Sequence, residues 1–256
     1  MSVLSYLQGR ASQAVLSGDE QSSINTSIST LSTRLKAYFG DKLTEHFRFG
    51  SSTRGTILPR SMDEHSDIDY MVVFAETGYT PQTYLDRLRK FVDTYYSSSD
   101  IKQSSPTIVL QLNHIKFDLV PAFKGIWSGY QIPNSSGGWQ DTNPNDFNAT
   151  LTAKNQAELN LIKPTIRLAK FWNAENGYVF DSYFFEKWIV EQYYFLATNQ
   201  KDYLFAVFDK LIANQSAQWR NDRINRAKQI VAKVRDYERD NMPITAESEV
   251  KKLIPG

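Results

Sequence analysis

The chain is expected to fold as an α+β protein, with a mixed sheet in an N-terminal lobe (1–150) followed by a helical lobe (151–256). Apolar, strand-like runs such as Ile68 to Phe74 and Ile115 to Val120 occupy the first half. Apolar residues at helical spacing fill the second half. Between them lies a Gly-, Pro-, Asn-, Ser- and Trp-containing stretch, 124–150, which reads as an irregular connector.

In chain order, Ile24, Ile28, Leu31, Leu35 and Phe39 recur at helical spacing, and Gly40 sits where that helix would stop. Glu45 to Phe49 reads as a short strand that meets Gly50-Ser51, after which a polar, Pro-containing loop runs through Thr53, Pro59 and Asp63. The near-continuous apolar run from Ile68 to Phe74 implies a strand buried on both faces. Pro81 opens a helix carrying Tyr84, Leu85, Leu88 and Phe91, since Pro suits a first helical turn. A Ser-rich loop spans 97–105, and two strands, Ile108 to Leu112 and Ile115 to Val120, flank a turn at Asn113-His114. The composition changes at Pro121.

Beyond Leu151, one helix is expected through Leu159, Ile162, Ile166, Ala169 and Phe171, with Pro164 as a kink or a start. A second begins at Asp181 or Ser182, either a good N-cap, and carries Phe185, Trp188, Ile189 and Gln192. A late helix through Ala227, Ile230, Val231, Val234 and Tyr237 is expected to end at Pro243. No internal repeat is visible.

The 256 residues, 41% hydrophobic and 22% charged, suffice for a normal globular interior. A net charge of +1 makes no case for a nucleic-acid or membrane-surface binder on bulk electrostatics, although a local basic stripe stays open. The absence of cysteine excludes disulfides, zinc–thiolate sites, iron–sulfur clusters and a cysteine nucleophile. Three scattered histidines, His46, His65 and His114, do not suggest a histidine-rich metal site. No leader pattern opens the sequence, and no stretch approaches the roughly 20 apolar residues that span a bilayer. A soluble, cytoplasmic protein is expected.

The chemistry gathers around carboxylates. Asp67 and Asp69 stand two apart on a strand, so both project from one face while Ile68 turns to the core. Two anions about 6–7 Å apart along a strand repel unless a cation lies between them. Magnesium prefers hard oxygen ligands and is held by one or two carboxylates plus phosphates. Asp118 interrupts another apolar strand, Ile115-Lys116-Phe117-Asp118-Leu119-Val120. If the strands are neighbours, Asp118 completes a cluster able to hold two metal ions. Taken singly, an Asp-x-Asp is more often a turn or cap, and Asp118 could merely pair with Lys116 or Lys124. Order and context decide: Phe49-Gly50-Ser51-Ser52-Thr53-Arg54-Gly55-Thr56 precedes Ser66-Asp67-Ile68-Asp69. Gly50 admits close backbone approach to an anion, and Ser51 and nearby amides can donate to phosphate oxygens. Arg54 either pairs with phosphate or braces the loop.

These motifs resemble the Gly-Ser signature of the polymerase-β-like nucleotidyltransferases. Within them, Gly-Ser-x-x-Arg-Gly-Thr is similar to the branch holding oligoadenylate synthases and the bacterial cGAS/DncV-like (SMODS-type) nucleotidyltransferases, the CD-NTases of antiphage signalling. The resemblance implies that Ser51 contacts a triphosphate and that Asp67, Asp69 and Asp118 bind two Mg2+ ions, with Mn2+ as a substitute. It continues through Asp118-Leu119-Val120-Pro121-Ala122, Ile132-Pro133-Asn134, Trp139 and Asn143-Pro144, covering about 45–195. Leu161 to Trp172 resembles the family's Leu-x-Lys-x-Trp helix, where Lys170 would reach the donor triphosphate. Ser182-Tyr183 with Phe185-Glu186 resembles its Ser-Tyr-x-x-Glu, where Tyr183 would stack on a base and Ser182 would add a polar contact. Residues 52–66 separate Ser51 from Asp67, more than in many members of the wider superfamily, and 59–65 read as a loop excursion.

The implied activity is attack of a 2′- or 3′-hydroxyl on an α-phosphate, building a cyclic di- or trinucleotide or a short oligonucleotide messenger of the antiphage (CBASS) type from ATP, GTP, UTP or CTP. A downstream effector would bind the product, and a regulatory protein partner fits the family. Two rivals are nucleotidyl transfer to a tRNA or protein, as in toxins, and a non-catalytic nucleotide sensor. Bland roles exist for the outlying residues: Tyr183 as core aromatic, Lys170 as solvated helix residue. The cations Arg220, Arg223, Arg226, Lys228, Lys233 and Arg235 alternate with acids and read as a solvated face.

Overall fold

Strand propensity and burial in the first half place two apolar strands at the centre of one sheet. In a computed structural model, residues 2–104, 106–125 and 129–256 are described. Met1, Ser105 and residues 126–128, which belong to the expected start, Ser-rich loop and connector, lie outside them. Helix α1 (Val3–Gln13) opens the chain, followed by α2 (Gly18–Phe39), β1 (Leu43–Phe49), α3 (Ser51–Arg54), β2 (Asp67–Phe74) and α4 (Pro81–Tyr95). Strands β3 (Asp100–Ser104), β4 (Thr107–Gln111), β5 (Lys116–Lys124), β6 (Tyr130–Pro133) and β7 (Trp139–Thr142) come next. Helices α5 (Asp146–Ala157), α6 (Ile162–Glu175), α7 (Ser182–Glu191), α8 (Gln200–Lys210), α9 (Gln218–Arg239) and α10 (Pro243–Val250) complete it.

The chain forms two compact units. The sheet unit takes Ser17–Arg60 and His65–Asn148. Its main strand order is β1-β2-β5-β4-β3, with β6 on β5 and β7 on β6. β2 and β5 run parallel, and β1 and β4 flank them antiparallel. Their apolar runs follow from burial on both faces. On one face Met71, Val73, Val120 and Ala122 pack with Phe47, Phe49, Tyr130 and Ile132. On the other, Phe74 meets Phe39 of α2 and Tyr84 of α4 edge to face, a favoured aromatic geometry. α2 starts at a Ser17–Glu20 capping box and stops at Gly40 with φ +53°.

The helical unit takes the chain up to Leu16, Ser61–Glu64 and Ala149–Gly256. Leu7 of α1, Ile166 and Leu168 of α6, Leu204 and Phe208 of α8, Val231 of α9 and Val250 of α10 are all fully buried in its core. The short excursion 61–64 buries Met62, and Asp63 accepts a 2.6 Å hydrogen bond from the Tyr178 hydroxyl. Among the described residues, no helix is long and apolar enough to cross a membrane.

Several local expectations change. The loop after Gly50 begins with the short helix α3, and the Ser-rich stretch contains β3, whose register with β4 pairs Ile101 with Leu110. The connector contains the β6–β7 hairpin. Pro121 lies within β5 rather than ending it; it falls past the last β4 pair, Ile108 with Leu119, where one side of the strand has no ladder to interrupt. Leu159 is not on a helix: it is exposed with φ +54°, and α6 starts at Ile162, so Pro164 lies in a first turn. Pro243 opens α10, as a first-turn proline does.

Candidate active site

The β2–β5 register sets the carboxylate geometry. Asp69 is paired with Asp118 and Asp67 with Lys116 in the parallel ladder, and neighbouring strands lie about 4.8 Å apart. Period-2 alternation puts all four side chains on the face that carries Met71 and Val120 further along. The Lys116 ammonium sits between carboxylates, 3.0 Å from Asp67 Oδ2 and 3.7 Å from Asp118 Oδ1. A lysine partner for Asp118 is therefore present, alongside two further acids. Burial, with the Asp67 charge adding, pushes the Asp118 carboxyl up to about 6 despite Lys116. Burial works against the Lys116 ammonium, but Asp67 and Asp118 outweigh it and hold its pKa above the ordinary lysine value.

A divalent cation suits this donor set. Asp118 Oδ1 is buried with no hydrogen bond and only the Lys116 ammonium at 3.7 Å, a poorly satisfied state that a closer divalent cation would relieve. Hard oxygen donors on adjacent strands are the ligands magnesium takes. Among the described residues, no three His, Asp or Glu side chains form a ready-made cation cage. Like charges have no reason to close on an empty point, and here Lys116 occupies part of the space.

Gly50 caps α3 with φ +72° and ψ −152°, a conformation open essentially to glycine alone. The β1–β2 pairing of Phe49 with Asp69 delivers Gly50 against that carboxylate, and a Cβ on Gly50 would lie 1.9 Å from Asp69 Oδ2. Gly50→Ala is therefore expected to displace either Asp69 or the first turn of α3. A misplacement of about 1 Å costs an active site on the order of a hundredfold in rate, measurable as lost turnover by a variant whose circular-dichroism spectrum is unchanged.

The α3 turn is held by its own polar groups: Thr53 Oγ1 donates to the Gly50 carbonyl and Ser52 Oγ to the Phe49 carbonyl. Ser51 is half-buried, and its hydroxyl makes no hydrogen bond to a described residue. Arg54 is buried with its guanidinium over the Phe147 ring at 5.6 Å. Of the two roles left open for it, that burial favours the brace.

The other expected residues lie in the helical unit. Lys170 of α6 is 7% exposed and donates a 2.8 Å charged hydrogen bond to Glu186 of α7, itself 1% exposed. It is not a solvated helix residue. Asp181 is the α7 N-cap, accepting from the Phe184 amide at 3.0 Å, so Ser182 is the first helical residue. Tyr183 is 44% exposed, which removes it from the core. The structure thus gathers Asp67, Asp69, Asp118, Gly50, Ser51 and Arg54 in the sheet unit, and Lys170, Ser182 and Tyr183 along α6 and the start of α7. Glu186 was visible in the sequence only as a motif letter; its ion pair could have been suspected from an acid and a lysine each set among apolar residues.

A family model described as the Second Messenger Oligonucleotide or Dinucleotide Synthetase domain matches residues 1–155. A protein of Bacillus cereus (strain VD146), named a probable cyclic nucleotide synthase, is 28% identical over 197 residues, 62% of this chain. That stretch spans 57% of the relative, little more than half its length. Among solved structures, Vibrio cholerae DncV in its apo form superposes with a TM-score of 0.79 at 10% identity, covering 100% of this chain and 95% of the other. E. coli MS115-1 CdnC with ATP gives 0.75 at 15% identity, covering 100% and 98%. The E. coli CdnC:HORMA-deltaN complex gives 0.74 at 16% identity, covering 98% and 96%. At these identities the likeness shows a shared fold, the polymerase-β-like nucleotidyltransferase fold.

Proposed function

The chain belongs to the family of Second Messenger Oligonucleotide or Dinucleotide Synthetase domains, and on that premise we propose that it is a nucleotidyltransferase that joins nucleoside triphosphates into a cyclic di- or trinucleotide or a short oligonucleotide. The observation that carries this reading is the pairing of Asp69 with Asp118 on adjacent parallel strands, with Asp67 tied to the same spot through Lys116.

In the proposed reaction a ribose hydroxyl forms a bond to an α-phosphorus and pyrophosphate leaves. Asp67, Asp69 and Asp118 would hold two magnesium ions, with manganese as a substitute. Bound there, magnesium supplies charge neutralisation on the triphosphate and a lowered pKa for the attacking hydroxyl. Gly50 keeps the loop close to Asp69, Ser51 offers its hydroxyl to a phosphate oxygen, and Arg54 holds the loop from behind. Lys170, aligned by Glu186, is assigned to the donor triphosphate, with Ser182 and Tyr183 on the base.

ATP, GTP, UTP or CTP are the substrate class, supported by the ATP named with CdnC. A regulatory protein partner is supported by the HORMA complex of CdnC. Antiphage signalling of the CBASS type, with an effector that reads the product, and a cytoplasmic location are part of the same proposal, supported by the family match. The test is mass spectrometry of an equimolar four-NTP reaction with magnesium or manganese. A small phosphatase-resistant product should form without added macromolecule, and disappear in Asp67→Ala with the fold intact. Label appearing only on added RNA or protein refutes the proposal.

A further inference from the structure

The helical unit contains a cavity of about 480 Å3 that no residue of the proposed active site lines, in the size range of small-molecule sites. Its walls are aromatic: Phe180 and Phe185 lie 4.8 Å apart between ring centroids, and Trp188 stacks on Phe185 at 6.1 Å. On α7 and its N-cap the lining residues are Asp181, Phe184, Phe185 and Trp188, one face of the helix. Tyr183 and Glu186 point about 150° away around the same helix. The cavity and the proposed base-stacking tyrosine therefore use different faces.

Both walls are fixed in advance. Asn173, fully buried, clamps Phe180 through two 2.9 Å hydrogen bonds, one from Asn173 Nδ2 to the Phe180 carbonyl and one from the Phe180 amide to Asn173 Oδ1. Asn221 does the same to Gln215 on the opposite side, at 2.8 and 2.9 Å, and Lys228 donates to the Leu211 carbonyl at 2.9 Å. Such preorganisation lowers the ordering cost of binding.

The charged groups at the cavity differ in their commitments. The Asp181 carboxylate accepts from the Phe184 amide, and the Lys210 ammonium donates to the Tyr193 carbonyl. Arg220 makes no side-chain hydrogen bond to any described residue: its Nε is buried without a partner, and its guanidinium rests over the Trp219 ring at 5.3 Å. A buried donor left unmatched is costly, and a guanidinium fork matches a carboxylate or phosphate.

We propose that this cavity binds a small planar aromatic molecule bearing a carboxylate or phosphate, its ring held among Phe180, Phe185 and Trp188 and its anion by Arg220. The site is separate from the carboxylate row and does not depend on the proposed catalysis. Isothermal titration of the full chain in EDTA, which leaves the carboxylate row no divalent cation with which to attract phosphate, tests it with three probes. 1-Naphthyl phosphate and 2-naphthoate should bind with Kd below about 1 mM, and neutral 2-naphthol at least about tenfold more weakly. A preference for the phosphate identifies a nucleotide-like ligand, and a preference for the carboxylate an aromatic acid. Arg220→Gln should weaken both anions at least about tenfold and leave 2-naphthol unchanged. Ile212→Glu, at an exposed lining position, should expel the anions by repulsion even if Arg220→Gln fails to fold. Absence of anion binding, or anion affinity untouched by both variants, overturns the proposal. Naphthol binding as tightly as the anions also overturns it and marks the cavity as a seat for an apolar side chain of a protein partner.

Discussion

Asp118→Asn is expected to lower pyrophosphate release by at least about a thousandfold while raising the thermal midpoint of the metal-free protein. The two effects share a cause. Without a cation, the Asp118 carboxyl is buried beside Asp67 and titrates near 6 instead of 3.8. Its folded-state pKa lies above its unfolded value, so the folded protein binds more protons between those pH values and stability rises as pH falls through them. The penalty is complete above about pH 6 and relieved near pH 4. It corresponds to roughly 1–3 kcal/mol once residual solvent screening is allowed for. Melting curves without metal should place Asp118→Asn about 3–8 °C above wild type at pH 7.5, the gap closing toward pH 4. Added magnesium with a non-hydrolysable triphosphate should reverse the order, because only wild type gains a bound cation. A variant less stable than wild type at pH 7.5 would mean that Asp118 is a structural partner of Lys116 and not a ligand held ready.

The second large effect concerns the ion pair of Lys170 and Glu186. Glu186→Ala leaves an ammonium buried without the carboxylate that neutralises it, at a cost of about 3–5 kcal/mol, or roughly 10 °C in thermal midpoint. Replacing both partners, Lys170→Met with Glu186→Gln, should recover most of that loss, since apolar replacement of a buried pair is often neutral. The double variant then separates stability from chemistry. If Lys170 serves the donor triphosphate, the refolded double variant shows a raised KM for NTP together with a lower kcat. Unchanged kinetics would reduce the pair to a structural clamp between α6 and α7.

The carboxylate geometry was legible because strand alternation is a local rule: Asp67 and Asp69 share a face whatever lies beside them. Their approach to Asp118 was conditional, since a sequence names strands but not their neighbours, and β2 reaches β5 only through a crossover carrying α4, β3 and β4. Helix α4 was legible from Pro81 and its apolar spacing. Helix α8 was overlooked although Tyr203, Leu204, Val207 and Phe208 follow the same spacing, because the polar Asn199-Gln200-Lys201-Asp202 start reads as loop; Asn199 is in fact the N-cap. β3, Asp100-Ile101-Lys102-Gln103-Ser104, carries little apolar content as an exposed edge strand and depends on β4 for its pairing. For the ion pair of Lys170 with Glu186, the sequence shows a lysine and an acid each set among apolar residues, but that they meet is a tertiary fact joining two helices.

The excursion between Arg60 and His65 has a practical result for anyone wishing to dissect the molecule. Because 61–64 are built into the helical unit while the segments on either side are not, the polypeptide passes from one body to the other at several separate bonds. A fragment ending where the family match stops, at residue 155, would strip the Tyr178 hydroxyl from Asp63 and remove most of the unit to which the buried Met62 belongs. Such a fragment should express poorly or aggregate, and no single scissor cut yields an autonomous half.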